Sequence, residues 1–264
     1  MAYVQIGDVR LAYDDVGSGP GLLLIHGYPF NRSLWVDQLD SLSKTFRVIT
    51  PDLRGFGESD ISVGASTMNR MAQDVVRLMD TLEISSAIVG GLSMGGYVVL
   101  ALYKQFASRV RGLVLADTRA QADTEEAKQV RTQQAEQILA SGMAGITDAM
   151  LAKLLTPETV SKRPEVVKRI RDMMLKTKPA GAAAALMGMA AREDQTALLP
   201  RISVPTLILV GRDDPITPLQ DSEKMHDTIP GSRLVVIENA SHVSNIEQSA
   251  VFNAALSSFL HGVS

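Results

Sequence analysis

Short apolar runs alternate with amphipathic stretches through the first 120 residues. Leu22–Ile25, Phe46–Thr50, Ala87–Gly90 and Leu113–Ala116 are runs typical of strands buried on both faces. Between them, Thr67–Leu82 repeats apolar residues every three or four positions, which predicts a helix. Strands that alternate with helices indicate an α/β fold, in which a mostly parallel sheet carries helices on both faces.

The two ends of the chain extend this pattern. Tyr3–Ile6 and Val9–Asp14 alternate like a hairpin around the turn at Gly7-Asp8. The helix Val98–Phe106 continues from the segment at Ser93. After residue 200, strands and helices are predicted in turn at Pro205–Gly211, Leu219–Thr228, Arg233–Glu238 and Gln248–Leu260.

Residues 121–199 carry only helical periodicity. Breaks fall at Ser141-Gly142, Thr156-Pro157, Arg163-Pro164 and Lys178-Pro179, and we expect four helices here between two strands of the sheet. The segment follows the strand end at Asp117, on the side where such sheets bind ligands, which favours a cap over helices that only thicken the domain. We therefore expect a core domain of residues 1–120 and 200–264, with a helical cap of residues 121–199.

Composition narrows the classes of function. Of the 264 residues, 45% are hydrophobic, the net charge is −3 and none is cysteine. No basic stripe indicates a nucleic-acid partner, and thiol chemistry is excluded. The N-terminus lacks the features of a secretion signal, and the longest near-apolar stretch falls well short of the roughly 20 residues that cross a bilayer. We expect a cytoplasmic monomer or homodimer with no membrane partner.

The motif G-x-S-x-G occurs at Gly91–Gly95, directly after the strand at Ala87–Gly90 and before a helix. In this context it predicts a sharp turn that lifts the Ser93 hydroxyl above the sheet as a nucleophile. Side chains two positions before and after the serine would clash in such a turn, which accounts for both glycines. The N-terminus of the following helix favours the negative charge that develops during acyl transfer.

A serine nucleophile needs a base, and the chain has four histidines. His242 follows the last predicted strand in a loop, from which its imidazole can reach the serine. His226 and His261 lie in polar faces of late helices, where surface positions are expected. His26 ends a buried strand, and we expect it to support the neighbouring loop by hydrogen bonds.

The base in turn needs a carboxylate that holds its tautomer. Gly211-Arg212-Asp213-Asp214-Pro215 follows a strand, and Asp214 is the favoured acid, with Asp213 as a turn former. Asp117, at the end of another strand, is the alternative. The chain order Ser93, Asp214, His242 is the order expected for this fold.

An oxyanion hole needs two backbone N–H groups near the nucleophile. One is expected from Met94, the residue after the serine. The second is expected from Tyr28 in the loop His26-Gly27-Tyr28-Pro29, where Gly27 allows close approach and Pro29 cannot donate.

Together these motifs resemble the α/β-hydrolase superfamily of serine hydrolases, and most of all its 3-oxoadipate enol-lactonase and carboxylesterase branch. The matching stretches are His26–Pro29, Asp52–Ser59, Gly91–Gly96, Gly211–Pro218 and Ser241–Gln248. The resemblance implies Ser93, Asp214 and His242 as the catalytic triad, the same three residues that the motifs indicate. His26–Pro29 looks more like esterases and cofactor-free haloperoxidases than like the lactonases.

The expected activity is hydrolysis of a small-molecule carboxylic ester or lactone through an acyl-enzyme on Ser93, without a metal or organic cofactor. The alternatives are perhydrolysis or carbon–carbon bond hydrolysis on the same triad, and a ligand-sensing receptor that retains it. An enol-lactonase must bind a free carboxylate, for which Arg119 and Arg192 are the candidates. Some apolar residues of the cap are expected to line the pocket, chosen from Met143, Met150, Leu154, Leu186, Met187 and Met189.

Overall fold

The computed structural model describes residues 1–263. These residues contain an eight-stranded sheet in the order β1-β2-β4-β3-β5-β6-β7-β8. The strands are β1 (Ala2–Ile6), β2 (Val9–Val16), β3 (Gly21–Ile25), β4 (Arg47–Pro51), β5 (Ala87–Leu92), β6 (Val110–Ala116), β7 (Thr206–Gly211) and β8 (Arg233–Ile237). The pairs β1–β2 and β2–β4 are antiparallel, and every later pair is parallel.

Helices flank this sheet, and the predicted α/β architecture is confirmed. Outside the insertion they are α1 (Val36–Leu42), α2 (Met68–Thr81), α3 (Met94–Phe106), α9 (Leu219–Thr228), α10 (Ser244–Glu247) and α11 (Ser249–Val263). The short helices α1 and α10 had no counterpart in the sequence prediction, because seven and four residues are too few to display a period.

Successive residues of β3 explain why the sheet is covered on both faces. Leu23 and Ile25 belong to a core cluster with residues of α2 and α3, while Leu22 and Leu24 belong to a second cluster with residues of α11. All four side chains are completely buried. Alternate side chains of a strand point to opposite faces, so a continuous apolar run requires a layer of helices on each side.

Between β6 and β7 the described residues form five helices, not the four expected. They are α4 (Glu125–Ser141), α5 (Ala144–Leu154), α6 (Pro157–Lys162), α7 (Pro164–Leu175) and α8 (Pro179–Ala190). The missed helix is α6, whose six residues make less than two turns. Proline starts α6, α7 and α8, so the three prolines taken as breaks mark helix N-termini.

The inserted helices contact the sheet domain closely. Helix α4 packs along α8, and α5 packs against α7. A Cβ on Gly181 of α8 would lie 1.9 Å from the Gly55 carbonyl oxygen, so the two backbones touch directly. Lys178 Nζ donates to the Ser59 carbonyl at 3.0 Å, and Thr177 Oγ1 donates to the Pro29 carbonyl at 2.6 Å.

Candidate active site

Ser93 lies in the sharp turn between β5 and α3. Its backbone angles are φ 56° and ψ −116°, a left-handed conformation that non-glycine residues rarely adopt. A Cβ on Gly91 would lie 2.3 Å from the Gly95 carbonyl, and a Cβ on Gly95 would lie 2.2 Å from the Ile25 carbonyl oxygen. Only glycine fits at either position, which is the steric reason for the spacing of the motif.

Three side chains that are distant in the chain form one hydrogen-bonded row. His242 Nε2 lies 2.7 Å from Ser93 Oγ, and His242 Nδ1 lies 2.8 Å from Asp214 Oδ2. The serine follows β5, the aspartate follows β7 and the histidine follows β8, so the carboxyl ends of parallel strands bring them together. Their exposed fractions are 8%, 4% and 2%, which keeps water away from both hydrogen bonds.

The Asp214 carboxylate is fixed by neighbours that the sequence prediction did not include. Its Oδ1 accepts the N–H groups of Ile216 at 2.8 Å and Thr217 at 3.1 Å, and its Oδ2 accepts Thr217 Oγ1 at 2.6 Å. Burial alone would raise the pKa of Asp214, but His242 and the Thr217 donors outweigh burial and lower it. The group is therefore an anion beside the imidazole.

Burial would lower the pKa of His242, yet the facing carboxylate of Asp214 reverses the effect and raises the pKa above 6.5. Asp117 adds to this rise and Arg119 opposes it. The imidazole is thus more basic than an ordinary histidine, while its Nε2 faces the serine hydroxyl. Such a group can take a proton from Ser93 and hold it in a row of hydrogen bonds.

Asp117, the alternative acid from the sequence, lies close to this row but does not join it. Its Oδ1 accepts the Gly211 N–H at 2.8 Å and its Oδ2 accepts Ser244 Oγ at 2.5 Å. Burial, together with the charge of Asp214, raises its pKa to about 8. The geometry therefore favours Asp214 over Asp117 as the partner of the imidazole, and Asp213 is exposed.

The other histidines have partners away from the serine. His226 Nδ1 pairs with Ser232 Oγ at 2.9 Å, and His261 Nδ1 contacts the Ser257 carbonyl at 2.7 Å. His261 is exposed and His226 is half-buried. His26 is buried, with Nδ1 2.9 Å from the Gly27 carbonyl and Nε2 accepting the Leu53 N–H at 3.0 Å.

Tyr28 and Met94, the two expected N–H donors, belong to segments that adjoin the serine. A Cβ added to Gly27 would lie 3.2 Å from Ser93 Cβ, so the loop that carries Tyr28 runs against the nucleophile. Met94 is the first residue of α3, where helical N–H groups lack an intrahelical acceptor. Among the described residues, no backbone acceptor outside helices and strands binds either N–H group. Both remain available for a ligand oxygen.

Ser93 and His242 line a cavity of about 400 Å³ beneath the inserted helices. Four of the six apolar residues proposed from the sequence line it, namely Met150, Leu154, Leu186 and Met189. Met143 is buried in the core and Met187 is 40% exposed, so neither contributes to this cavity wall.

The charged residues that line this cavity are all cations: Arg119, Arg131 and Lys153. Arg119 donates to the Ile216 carbonyl, and its Nε lies 3.6 Å from Asp221. Arg192, the other candidate from the sequence, lies outside this lining. It forms a buried ion pair with Asp123 at 2.8 Å and stacks on the Tyr97 ring.

Comparison with known proteins identifies the family of the chain. A family model described as the alpha/beta hydrolase fold matches residues 20–249. The chain belongs to the α/β-hydrolase family. This α/β-hydrolase is 42% identical to a thermophilic esterase from Thermogutta terrifontis, whose structure matches with a TM-score of 0.97 over 100% of this chain and 99% of that one.

Lactonases are also among its relatives. The α/β-hydrolase is 32% identical to the enol-lactonase from Burkholderia xenovorans LB400, with a TM-score of 0.93 over 98% of this chain and 100% of that chain. It is 32% identical to 3-oxoadipate enol-lactonase 2 of Acinetobacter baylyi, over 94% of this chain and 92% of the relative. The predicted resemblance to the enol-lactonase and esterase branch is confirmed. Within residues 1–263 no helix has the length and apolarity needed to cross a membrane.

Proposed function

We propose that this protein is a serine hydrolase that cleaves carboxylic esters or lactones through an acyl-enzyme on Ser93. The observation that carries the proposal is the buried row from Asp214 through His242 to Ser93 Oγ, with hydrogen bonds of 2.8 and 2.7 Å. Ser93 and His242 lie in the wall of a ligand-sized cavity. Relatives named esterase and enol-lactonase support the same class of substrate.

In the first half-reaction His242 Nε2 takes the Ser93 proton while Oγ attacks the carbonyl carbon of the substrate. Asp214 stabilises the imidazolium and keeps Nδ1 protonated. The imidazolium then gives its proton to the leaving alkoxide, which departs as the alcohol. In the second half-reaction the same imidazole deprotonates water, which attacks the acyl carbon. The imidazolium then returns the proton to Ser93 Oγ as the acid leaves, which restores the free enzyme.

The negative charge of the tetrahedral intermediate needs fixed donors. We assign these to the N–H groups of Tyr28 and Met94, which have free donor capacity next to Ser93. The positive end of α3 points toward the same oxygen and adds to its stabilisation. No step of this mechanism requires a metal or an organic cofactor.

Residues 121–199 are the cap in this proposal, and residues 1–120 with 200–264 are the core domain. Helices α5 and α8 supply apolar walls of the cavity through Met150, Leu154, Leu186 and Met189. The core supplies Ser93 and His242. A substrate is thus enclosed between the cap and the nucleophile, which excludes bulk water from the acyl group.

An acidic ester or lactone is the substrate that fits the cationic lining best. Arg119 is half-buried beside the triad, close enough to lower the pKa of His242, and it has spare N–H groups for a carboxylate. Relatives named 3-oxoadipate enol-lactonase act on such a lactone, and the Thermogutta terrifontis esterase structure has malate bound. This supports an enol-lactonase-like activity within the broader proposal.

A substrate panel on the wild-type protein tests the proposal and its rivals together. We expect turnover of short p-nitrophenyl esters and of an enol lactone with a free carboxylate. Hydrolysis of a vinylogous diketone, or peracid formation from acetate and hydrogen peroxide, as the dominant activity would contradict ester hydrolysis. Thermal stabilisation by a panel member without multiple turnover would instead favour a ligand-sensing receptor.

The pH dependence of kcat/KM follows from the raised pKa of His242. The base must be neutral to accept the serine proton, so activity falls as pH drops through the pKa of the free enzyme. Because Asp214 outweighs burial, we expect this acidic limb above pH 6.5. Initial rates on p-nitrophenyl acetate from about pH 5 to about pH 9 measure it. An acidic limb at or below pH 6.5 would contradict the proposed pairing of Asp214 with His242.

Arg119→Met tests whether Arg119 binds a free carboxylate of the substrate. We expect the KM for an enol lactone with a free carboxylate to rise between about tenfold and a hundredfold, because one charge-assisted hydrogen bond is lost. The neutral ester p-nitrophenyl acetate serves as the control substrate, and its KM is expected to stay nearly unchanged. Equal losses on both substrates would show that Arg119 acts through the fold and not through the carboxylate.

A further inference from the structure

Glu247 is a buried carboxylate outside the triad that binds both the inserted helices and the loop of the base. It ends α10, five residues after His242, and is 2% exposed. Its Oε1 accepts the N–H of Thr156 at 2.8 Å and Thr156 Oγ1 at 2.9 Å. Its Oε2 accepts the N–H of Ser241 at 2.7 Å. Three donors from two distant segments therefore meet on one side chain.

The two segments are functionally different. Thr156 is the N-cap of α6, so it belongs to the inserted helices. Ser241 immediately precedes His242, so fixing its N–H fixes the backbone from which the imidazole projects. Arg163, at the other end of α6, donates to the Glu247 carbonyl at 2.6 Å and secures the same contact a second time.

Helix α5 is also hydrogen-bonded to the loop that carries His242. Ser241 Oγ donates to the Lys153 carbonyl at 3.1 Å, near the C-terminus of α5. Side chains of α5 also line the catalytic cavity, among them Met150 and Leu154. A ligand that presses on α5 from the cavity therefore acts on a helix that is hydrogen-bonded to the residue before the base.

A residue that only joined the two segments would not need a carboxylate at position 247. A buried carboxylate is costly to desolvate unless its oxygens are filled by donors, whereas an apolar side chain would join two segments without that cost. What the carboxylate adds is direction, because its two oxygens hold Thr156 and Ser241 at fixed distances from each other.

We propose that Glu247 is a positioning residue that couples the position of α5 and α6 against the core to the orientation of His242. This inference rests on the proposed function of the triad. While α6 keeps its contact with Glu247, the Ser241 backbone is fixed and the imidazole stays 2.7 Å from Ser93 Oγ. When α6 shifts, the base moves with the loop while the nucleophile stays on its turn.

Glu247→Gln is the direct test, since the amide keeps the shape but can fill only one of the two acceptor positions. We expect kcat on p-nitrophenyl acetate to fall about 10- to 100-fold, with KM changed by less than about threefold. We also expect the acidic limb of kcat/KM to move toward 6.5, because a displaced imidazole loses part of its contact with Asp214. Active sites are counted by labelling Ser93 with a fluorophosphonate, so that rates refer to reactive enzyme.

Lys178→Met is the matched control. It removes another hydrogen bond between the inserted helices and the core, to the Ser59 carbonyl, without reaching His242. We expect its kcat and acidic limb to equal those of wild type. A Glu247→Gln protein that melts earlier but keeps the wild-type kcat per active site and the wild-type limb would overturn the proposal.

Thr156 provides a second route that does not depend on the folding of the Glu247 variant. Thr156→Val removes one donor to Glu247, and we expect it to lower kcat in the same direction; Thr156→Ser keeps the hydroxyl and is expected to restore kcat. Equal rates for the two variants would overturn the coupling. Wild-type activity in Ser93→Ala would overturn the proposed function itself, so the two failures are distinguishable.

Discussion

Ser93→Ala is expected to lower kcat on p-nitrophenyl acetate by about 10⁴-fold or more. The substitution removes the only atom that forms the covalent bond with the acyl group in the proposed mechanism. The cavity and the N–H groups of Tyr28 and Met94 remain, so a small residual rate through direct attack by water is expected. Initial rates, with a thermal unfolding curve to verify folding, measure the effect.

Ser62→Ala is the matched control for this experiment. Ser62 is as buried as Ser93, at 9% against 8% exposed, but it lies outside the catalytic cavity. Its hydroxyl has no hydrogen-bond partner in the described part of the chain, so its removal breaks no hydrogen bond. We expect wild-type rates. Turnover by Ser93→Ala within about tenfold of wild type would exclude Ser93 as the nucleophile.

Asp214→Asn is expected to reduce kcat by roughly 10⁴-fold with little change in KM. The amide cannot stabilise an imidazolium, and its NH₂ group favours the wrong tautomer of His242. The effect is measured on the same ester, and the acidic limb of kcat/KM should move to lower pH, because the largest influence that raises the pKa of His242 has gone.

Variants of two other aspartates serve as comparisons for Asp214→Asn. Asp213 is the neighbour of Asp214 in the chain but is exposed, and we expect Asp213→Asn to keep kcat within about twofold of wild type. Asp117 hydrogen-bonds Gly211 and Ser244, so Asp117→Asn tests the alternative acid. A larger loss of kcat at position 117 than at 214 would reverse the assignment of the carboxylate.

The central strands β3 to β7 could be predicted from the sequence because they are apolar on both faces. Leu22–Ile25 is an unbroken run, and its side chains feed two separate core clusters. The helix α9 has the predicted bounds Leu219–Thr228. Helix α6 was missed because it has only six residues, the first of which is Pro157, and they show no period. Length, more than composition, decided which elements the pattern revealed.

The row of Ser93, His242 and Asp214 could be anticipated because each residue follows a predicted strand, and parallel strands share one carboxyl edge. Thr217 and Glu247 could not, since their contacts depend on loop conformations with no local signature. Thr217 reaches Asp214 by a turn of three residues, and Glu247 reaches Thr156 across 91 positions of the chain. The hydrogen bond between Glu247 and Thr156 is tertiary, and such a bond leaves no periodic trace in a single sequence.

The most direct test of the central claim is to find the acyl group. Wild-type protein is mixed with excess p-nitrophenyl acetate, quenched within the first turnover and digested for peptide mapping by mass spectrometry. We predict a burst of about one p-nitrophenol per active site, with the acetyl group on the peptide that contains Ser93. An acetyl group on another residue, or a burst-free reaction that leaves position 93 unmodified while turnover proceeds, would contradict the account.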